Sequence, residues 1–115
     1  MPDDTSAARS PVGYQILLAL AGRDRHGYLI RKAVEQQTEG EMTLGPGTLY
    51  AALRRLEDAG LVEESPWRPD PDLDDSRRRY YRLTKTGRVA LQAETSRLQA
   101  TVKLALRALA TKPAR

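Results

Sequence analysis

The sequence predicts a mainly α-helical protein with one small β-hairpin, and three observations support this fold class. Apolar residues recur at helical spacing in four stretches, which begin near residues 10, 26, 45 and 84. Gly22, Gly40 and Gly60 follow the first three stretches, where glycine commonly ends a helix. Between Gly60 and Thr84 the pattern changes to two short β-like runs separated by a loop rich in proline and aspartate.

The first helix is predicted to begin at Ser10-Pro11, with serine as the cap and proline at the first helical position. Residues 12–20 are apolar on nearly every side of this helix. A helix of that composition is buried centrally or covered by a partner.

The second helix is predicted to begin near His26-Gly27 and to stop by Gly40. The third begins around Pro46 and runs to about Ala59. Residues 61–67 and 79–84 read as two strands, and residues 68–78 as an exposed hairpin loop. Thr84 then caps a final helix over residues 85–110.

This order predicts a winged helix-turn-helix domain followed by a long carboxyl-terminal dimerisation helix. We divide the chain into a flexible tail (1–9), the winged helix-turn-helix domain (10–84) and the dimerisation helix (85–112).

The net charge of the chain gives only partial support for an acidic partner such as nucleic acid. The formal net charge is +4, but the residues from Lys85 onward are strongly basic and contain Glu94 as their one acid, so residues 1–84 are slightly acidic. The local placement of arginines must therefore carry any argument for nucleic acid.

Residues 47–58 have the two-faced pattern of a recognition helix. Leu49, Ala52, Leu53 and Leu56 form a stripe that must pack on the core. The rest of the helix offers hydroxyls, small side chains and guanidinium groups suited to the major groove, and we select as candidate DNA contacts Thr48, Tyr50, Ala51, Arg54 and Arg55. The alternative is an ordinary amphipathic surface helix.

Three consecutive arginines, Arg77, Arg78 and Arg79, stand where the hairpin loop meets its second strand. At the tip of a wing they would contact the DNA backbone or enter the minor groove. The alternative is a solvated, charged loop. One of Tyr80 and Tyr81 is expected in the core, because adjacent strand residues point to opposite faces.

No catalytic or metal-binding constellation is recognised. The chain has no cysteine and a single histidine, His26, which we interpret as structural or capping at a helix start. The aspartates of residues 70–75 depart from a calcium loop at its glycine and glutamate positions. We therefore predict no enzyme activity, no cofactor and no metal.

The amino-terminal residues lack the apolar core of a signal peptide, and the longest apolar stretch, residues 16–21, is too short to cross a membrane. The sequence predicts a cytoplasmic protein with no membrane partner.

The final helix is predicted to form a dimer seam. Its apolar residues recur in a coiled-coil-like stripe comprising Leu91, Leu98, Val102, Ala105 and Leu109. Because the first helix is too apolar to face water, its residues Ile16 and Leu20 are assigned to the same homodimer contact. The alternative is that the final helix packs back on its own domain.

Several motifs together resemble the PadR family of transcriptional regulators. They are His26-Gly27-Tyr28, Gly47-Thr48-Leu49-Tyr50, Arg55-Leu56-Glu57, Gly60-Leu61 and the run from Arg79 to Thr84. The resemblance covers about residues 12–91.

The resemblance implies a winged-helix repressor that dimerises through its last helix and binds double-stranded DNA. It implies that Thr48, Tyr50 and Arg54 contact the groove and that Arg77 and Arg78 contact the DNA backbone. Tyr28, which lies in the first of the matching motifs, is a further candidate DNA contact. A small-molecule effector is also compatible with it, although the chain has no phenylalanine and its one tryptophan, Trp67, lies in the wing. The alternative function is a winged-helix module for protein–protein contact.

Overall fold

The computed structural model describes residues 6–66 and 79–111. The elements follow in the order α1 (Ser6–Arg9), α2 (Pro11–Ala21), β1 (Arg25–His26), α3 (Gly27–Gln37), α4 (Pro46–Asp58), β2 (Val62–Ser65), β3 (Tyr80–Leu83) and α5 (Lys85–Ala110). This is the mainly helical winged-helix architecture that the sequence predicts.

The expectation of a flexible tail through residue 9 is corrected, because residues 6–9 form helix α1. Ala8 is only 1% exposed and belongs to the core. Ser10 links α1 to α2, because its hydroxyl donates to the Ala7 carbonyl while accepting from the Gly13 amide. Residues 1–5 lie outside the described residues.

Helix α2 lies at the centre of the domain. Ile16, Leu17 and Leu20 are at most 3% exposed and pack in the main core cluster. The assignment of Ile16 and Leu20 to a dimer contact is therefore corrected, since residues of the same chain already cover both side chains. The exposed side of the helix carries Leu18, which is 41% exposed.

Helices α3 and α4 form the helix-turn-helix. Arg31 on α3 donates from Nε to the Leu44 carbonyl at 2.7 Å, which fixes the connection just before α4 begins. At the other end of α4, Gly60 has φ +77°, a backbone conformation that glycine adopts without strain. The Leu61 amide then donates to the Leu56 carbonyl and closes the helix.

The sheet has three antiparallel strands in the order β1-β3-β2, so the predicted two-stranded ribbon lacks one strand. Strand β1 pairs Arg25 with Tyr81 and His26 with Tyr80. Tyr81 belongs to the core cluster, as expected for one of the two tyrosines, and Tyr80 is also buried, where its ring packs edge-on against His26. Leu83 is partly buried against the core.

The start of α5 is fixed to the end of the helix-turn-helix. Thr84 caps the helix by accepting from the Gly87 amide, and its hydroxyl donates to the Gly60 carbonyl at 2.6 Å. The backbones also meet closely here, since a Cβ atom on Gly87 would lie 1.9 Å from the Leu61 carbonyl oxygen. We call this contact of Thr84 and Gly87 with Gly60 and Leu61 the α5 anchor.

The two halves of α5 differ in their surroundings. Ala90, Leu91 and Glu94 are buried, so the predicted seam residue Leu91 belongs mainly to the domain core. From residue 95 to residue 111, every residue is exposed except Leu98, which is intermediate. Among the described residues, no helix combines the length and apolar character needed to cross a membrane.

Candidate nucleic-acid interface

Helix α4 turns one face inward and the other outward. Its inner stripe of Leu49, Ala52, Leu53 and Leu56 is at most 2% exposed. The five candidate contact residues on the rest of the helix are all exposed, namely Thr48, Tyr50, Ala51, Arg54 and Arg55. Burial of the stripe therefore holds the helix in place while the polar face remains free.

The guanidinium groups of Arg54 and Arg55 are available for a ligand. Within residues 6–66 and 79–111, neither arginine forms a salt bridge or a side-chain hydrogen bond. A free, exposed arginine on a helix can make a bidentate contact to guanine or to phosphate without first breaking an ion pair.

Tyr50 and Tyr28 both lie at the first turn of α3. Tyr50 is 46% exposed, and its ring passes so close to Gly27 that a Cβ atom there would lie 2.4 Å from the hydroxyl oxygen. Tyr28 is 58% exposed, and the Lys32 ammonium lies 5.9 Å from its ring centroid. The two phenols and Lys32 therefore extend the polar surface of α4 onto α3.

The described part of the wing carries paired charges. Arg82 donates to Glu63 at 2.9 Å across the β2–β3 ladder, and Arg79 lies 3.8 Å from Glu64. All four side chains are substantially exposed, so these pairs are weak and screened by salt. The other predicted wing contacts, Arg77 and Arg78, lie outside the described residues, as does Trp67.

His26 connects the wing to the helix-turn-helix. Its ring meets Tyr80 edge-on at 5.2 Å between centroids and lies parallel to Tyr28 at 6.4 Å. The ring is 6% exposed, and the backbone of His26 caps α3 without a side-chain capping bond. Burial, followed by the charge of Glu57, raises the pKa of the neighbouring Tyr81, so this phenol stays neutral in the core.

On another face, Glu94 joins α5 to α1. Its carboxylate accepts two hydrogen bonds from Arg97 and lies 4.0 Å from Nε of Arg9. The bond from Arg97 is the main reason that the pKa of Glu94 is lowered. A pocket of about 190 Å³ opens beside it, lined by Ala8, Arg9, Ala90, Ala93, Glu94 and Arg97. None of the described residues that line this pocket is aromatic, and the expected effector stays a prediction.

The remaining seam residues of α5 lie on one side of the exposed half. Leu98, Val102, Ala105 and Leu109 fall within about 60° of one another at 100° per residue. Val102 is 55% exposed and Leu109 is 82% exposed. Apart from Leu98, which is partly covered, the stripe is exposed within the described chain. No group of three or more histidine, cysteine or acidic residues suited to a metal ion occurs in the parts of the chain that the structure describes.

A three-helix domain with a β-wing and an exposed polar face on α4 is the architecture of winged-helix DNA-binding proteins. The comparison with known families agrees: the model of the transcriptional regulator PadR-like family matches residues 16–93. The chain belongs to this family.

Two relatives of known sequence match about two thirds of this chain. The chain is 42% identical over 79 residues to a 37.1 kDa protein in a Streptomyces fradiae transposon, and 33% identical over 76 residues to protein X of Lysinibacillus sphaericus. The matches cover 69% and 66% of this chain. They span 20% of the first relative's length and 67% of the second's.

Solved structures show the same fold. A transcriptional regulator from Clostridium thermocellum superposes with a TM-score of 0.69 at 27% identity, covering 89% of this chain and 93% of that one. A PadR family transcription regulator from Clostridium difficile also gives 0.69 at 27% identity, covering 87% and 99%. RosR from H. salinarum gives 0.63 at 25% identity, covering 90% and 99%.

Three features of this surface escaped the sequence analysis. The ion pairs Glu63–Arg82 and Glu64–Arg79 depend on the strand register. The position of Lys32 over the Tyr28 ring depends on how the two side chains lie on the surface of α3. The fit of Tyr50 against Gly27 had one visible sign, a glycine at the first position of a helix, where side chains are normally tolerated.

Proposed function

We propose that this protein is a sequence-specific DNA-binding transcriptional repressor that acts as a homodimer. Helix α4 enters the major groove, and the wing lies on the backbone or in the minor groove. The single observation that carries the proposal is the two-faced burial of α4, which leaves Arg54 and Arg55 exposed and unpaired among the described residues. Membership of the PadR-like family supports it.

The homodimer is inferred from α5. Leu98, Val102 and Leu109 place an apolar stripe in water unless another chain covers it. A second copy fits this surface, because identical stripes can pack across a two-fold axis as in a coiled coil. Such a dimer presents two copies of α4 to half-sites about one helical turn apart.

The test is selection of duplexes from a randomised library by the wild-type protein. We expect recovered sequences with two related half-sites, and an affinity that falls steeply with salt because each neutralised phosphate adds about 0.9 to the slope. Recovery of no preferred sequence would contradict the proposal. Repression is tested separately by a reporter placed downstream of the recovered site, whose expression should fall when the protein is present.

Arg54→Ala should weaken binding to the recovered duplex by about 1–3 kcal/mol, because a bidentate base contact is lost. Its effect on a scrambled duplex should be smaller. Arg107→Ala, which removes the same charge from the exposed half of α5, is the matched control and should bind as wild type. Equal losses for the two variants on both duplexes would show that Arg54 contributes only net charge.

A second function, a winged-helix module for protein–protein contact, is favoured by the acidic residues on β2. Glu63 and Glu64 form ion pairs with Arg82 and Arg79 of the wing and so reduce its positive charge. The same selection distinguishes the two functions, since a protein-binding module would bind duplexes without preference or not at all.

A further inference from the structure

We infer that Gly27 is a positioning residue for DNA recognition: the absence of a side chain at this position holds Tyr50 in the orientation that reads the duplex. This inference rests on the proposed function. It assigns a role in recognition to a buried glycine on α3 rather than to a side chain on the recognition helix.

The first step is the space at Gly27. A Cβ atom there would lie 2.4 Å from the hydroxyl oxygen of Tyr50 and 3.0 Å from its Cζ atom. The methyl group of Leu49 would be 3.3 Å away. Carbon atoms in proteins do not approach an oxygen to 2.4 Å without a bond, so the Tyr50 ring occupies space that any other residue would fill.

The second step is that backbone conformation does not require glycine here. Gly27 is the first residue of α3 and lacks the positive φ seen at Gly40 and Gly60. In a helix, glycine is less favourable than alanine. The closest constraint on a side chain at this position is the contact with Tyr50.

The third step is the state of the Tyr50 ring. One side rests on the helix backbone at Gly27, yet 46% of the residue remains exposed beside Thr48, Ala51 and Arg54. The space at Gly27 thus lets the free protein place the ring at the recognition surface, which reduces the cost of ordering this side chain when DNA binds.

Gly27→Ala tests the inference because it moves Tyr50 more than it disturbs the core. The atoms nearest the new methyl belong to the far end of a surface side chain, which can swing away, while Leu49 has to give by only a few tenths of an ångström. Gly22→Ala is the matched control, since nothing lies within 4 Å of a Cβ atom at that helix end.

The experiment measures affinity for the duplex recovered by the wild-type protein, using Gly27→Ala, Tyr50→Ala, the double variant and Gly22→Ala. We expect Gly27→Ala and Tyr50→Ala each to bind about tenfold more weakly, since each displaces one contact. The double variant should be no weaker than Tyr50→Ala, and Gly22→Ala should match wild type.

Two results overturn the inference: wild-type affinity for Gly27→Ala, or a further loss when Gly27→Ala is added to Tyr50→Ala. In either case the wild-type protein still binds its duplex, so the proposed function stands. If the wild-type protein recovers no duplex, the proposed function itself fails.

A second measurement covers the case in which Gly27→Ala does not fold. Proton NMR of the wild-type protein should show a contact between the Gly27 α-protons and the Tyr50 ring, both free and bound to the duplex. Persistence of this contact in the complex supports the positioning role, and its loss on binding overturns it.

Discussion

Helix α2 and the exposed half of α5 both carry several leucines and alanines, but their surroundings are opposite. The sequence predicts α2 to be too apolar to face water, whereas α5 has an apolar stripe among charged and polar residues. Ile16, Leu17 and Leu20 of α2 are buried by their own chain, whereas Val102 and Leu109 of α5 are 55% and 82% exposed. Apolar composition thus shows that a helix must be covered, but it does not show by which chain.

The largest expected effect concerns α2. Leu17→Ala should destabilise the fold by about 2–5 kcal/mol, because it leaves a cavity in a fully buried site. Leu18→Ala in the same helix should cost much less, since Leu18 is 41% exposed. Urea unfolding at one protein concentration measures both. If Leu18→Ala lost as much free energy of unfolding as Leu17→Ala, a second copy would have to cover Leu18. Helix α2 would then, like α5, depend on a partner chain.

The next effect concerns the exposed half of α5. Val102→Asp should raise the dimer dissociation constant at least about 100-fold, because two unpaired carboxylates would be buried in one seam. Leu104 is 60% exposed but lies about 200° around the helix from Val102, so Leu104→Asp is the control and should leave the dimer intact.

Analytical ultracentrifugation over a range of concentrations gives both constants. If the two variants weaken the dimer equally, the stripe is not the seam. A wild-type protein that stays monomeric as its concentration rises would refute the dimer itself.

The smallest effect lies at Glu94, where the buried half of α5 meets the exposed half. The pKa of Glu94 is lowered below its ordinary value of 4.5, chiefly by the hydrogen bond from Arg97. Its ionised form therefore adds stability that is present above about pH 4.5 and is lost as the pH falls through the lowered pKa.

Glu94→Gln should accordingly lower the melting temperature at pH 7 and converge on wild type in acid. Thermal unfolding from pH 7 down to pH 3 measures this difference. Arg97→Gln should reproduce the same pH dependence, because it removes the donor. A difference between Glu94→Gln and wild type that does not change with pH would show that packing, not charge, holds this junction.

Local periodicity in the sequence predicts only part of the fold. The inner stripe of α4, the glycine after it and the threonine cap of α5 were all placed correctly, since each depends on residues within one or two turns. Strand β1 was missed because Arg25 and His26 have no periodicity, and their pairing with β3 joins distant parts of the chain.

For the candidate site, the sequence likewise predicts which residues of α4 are exposed but not the contacts that they make with other elements. Exposure of Thr48, Tyr50 and Arg54 follows from the helical stripe, and the structure confirms it. The contact of Tyr50 with Gly27 and the ion pairs of Arg79 and Arg82 depend on how helices and strands meet, which spacing along the chain does not encode. The DNA contacts themselves remain predictions.

The α5 anchor gives the proposed dimer a mechanical property. Because Thr84 and Gly87 fix the start of α5 close to the end of α4, in the proposed dimer α5 would act as a lever arm between the dimer seam and each copy of α4. Along α5, the middle of the exposed stripe lies roughly 28 Å from the α5 anchor. A change of about 10° in the angle between the paired helices would therefore shift each α4 by about 2.5 Å and change the distance between the two by about 5 Å, more than the roughly 3.4 Å rise of one base pair. Small changes in the angle of the rods would alter which half-site spacing the protein can span.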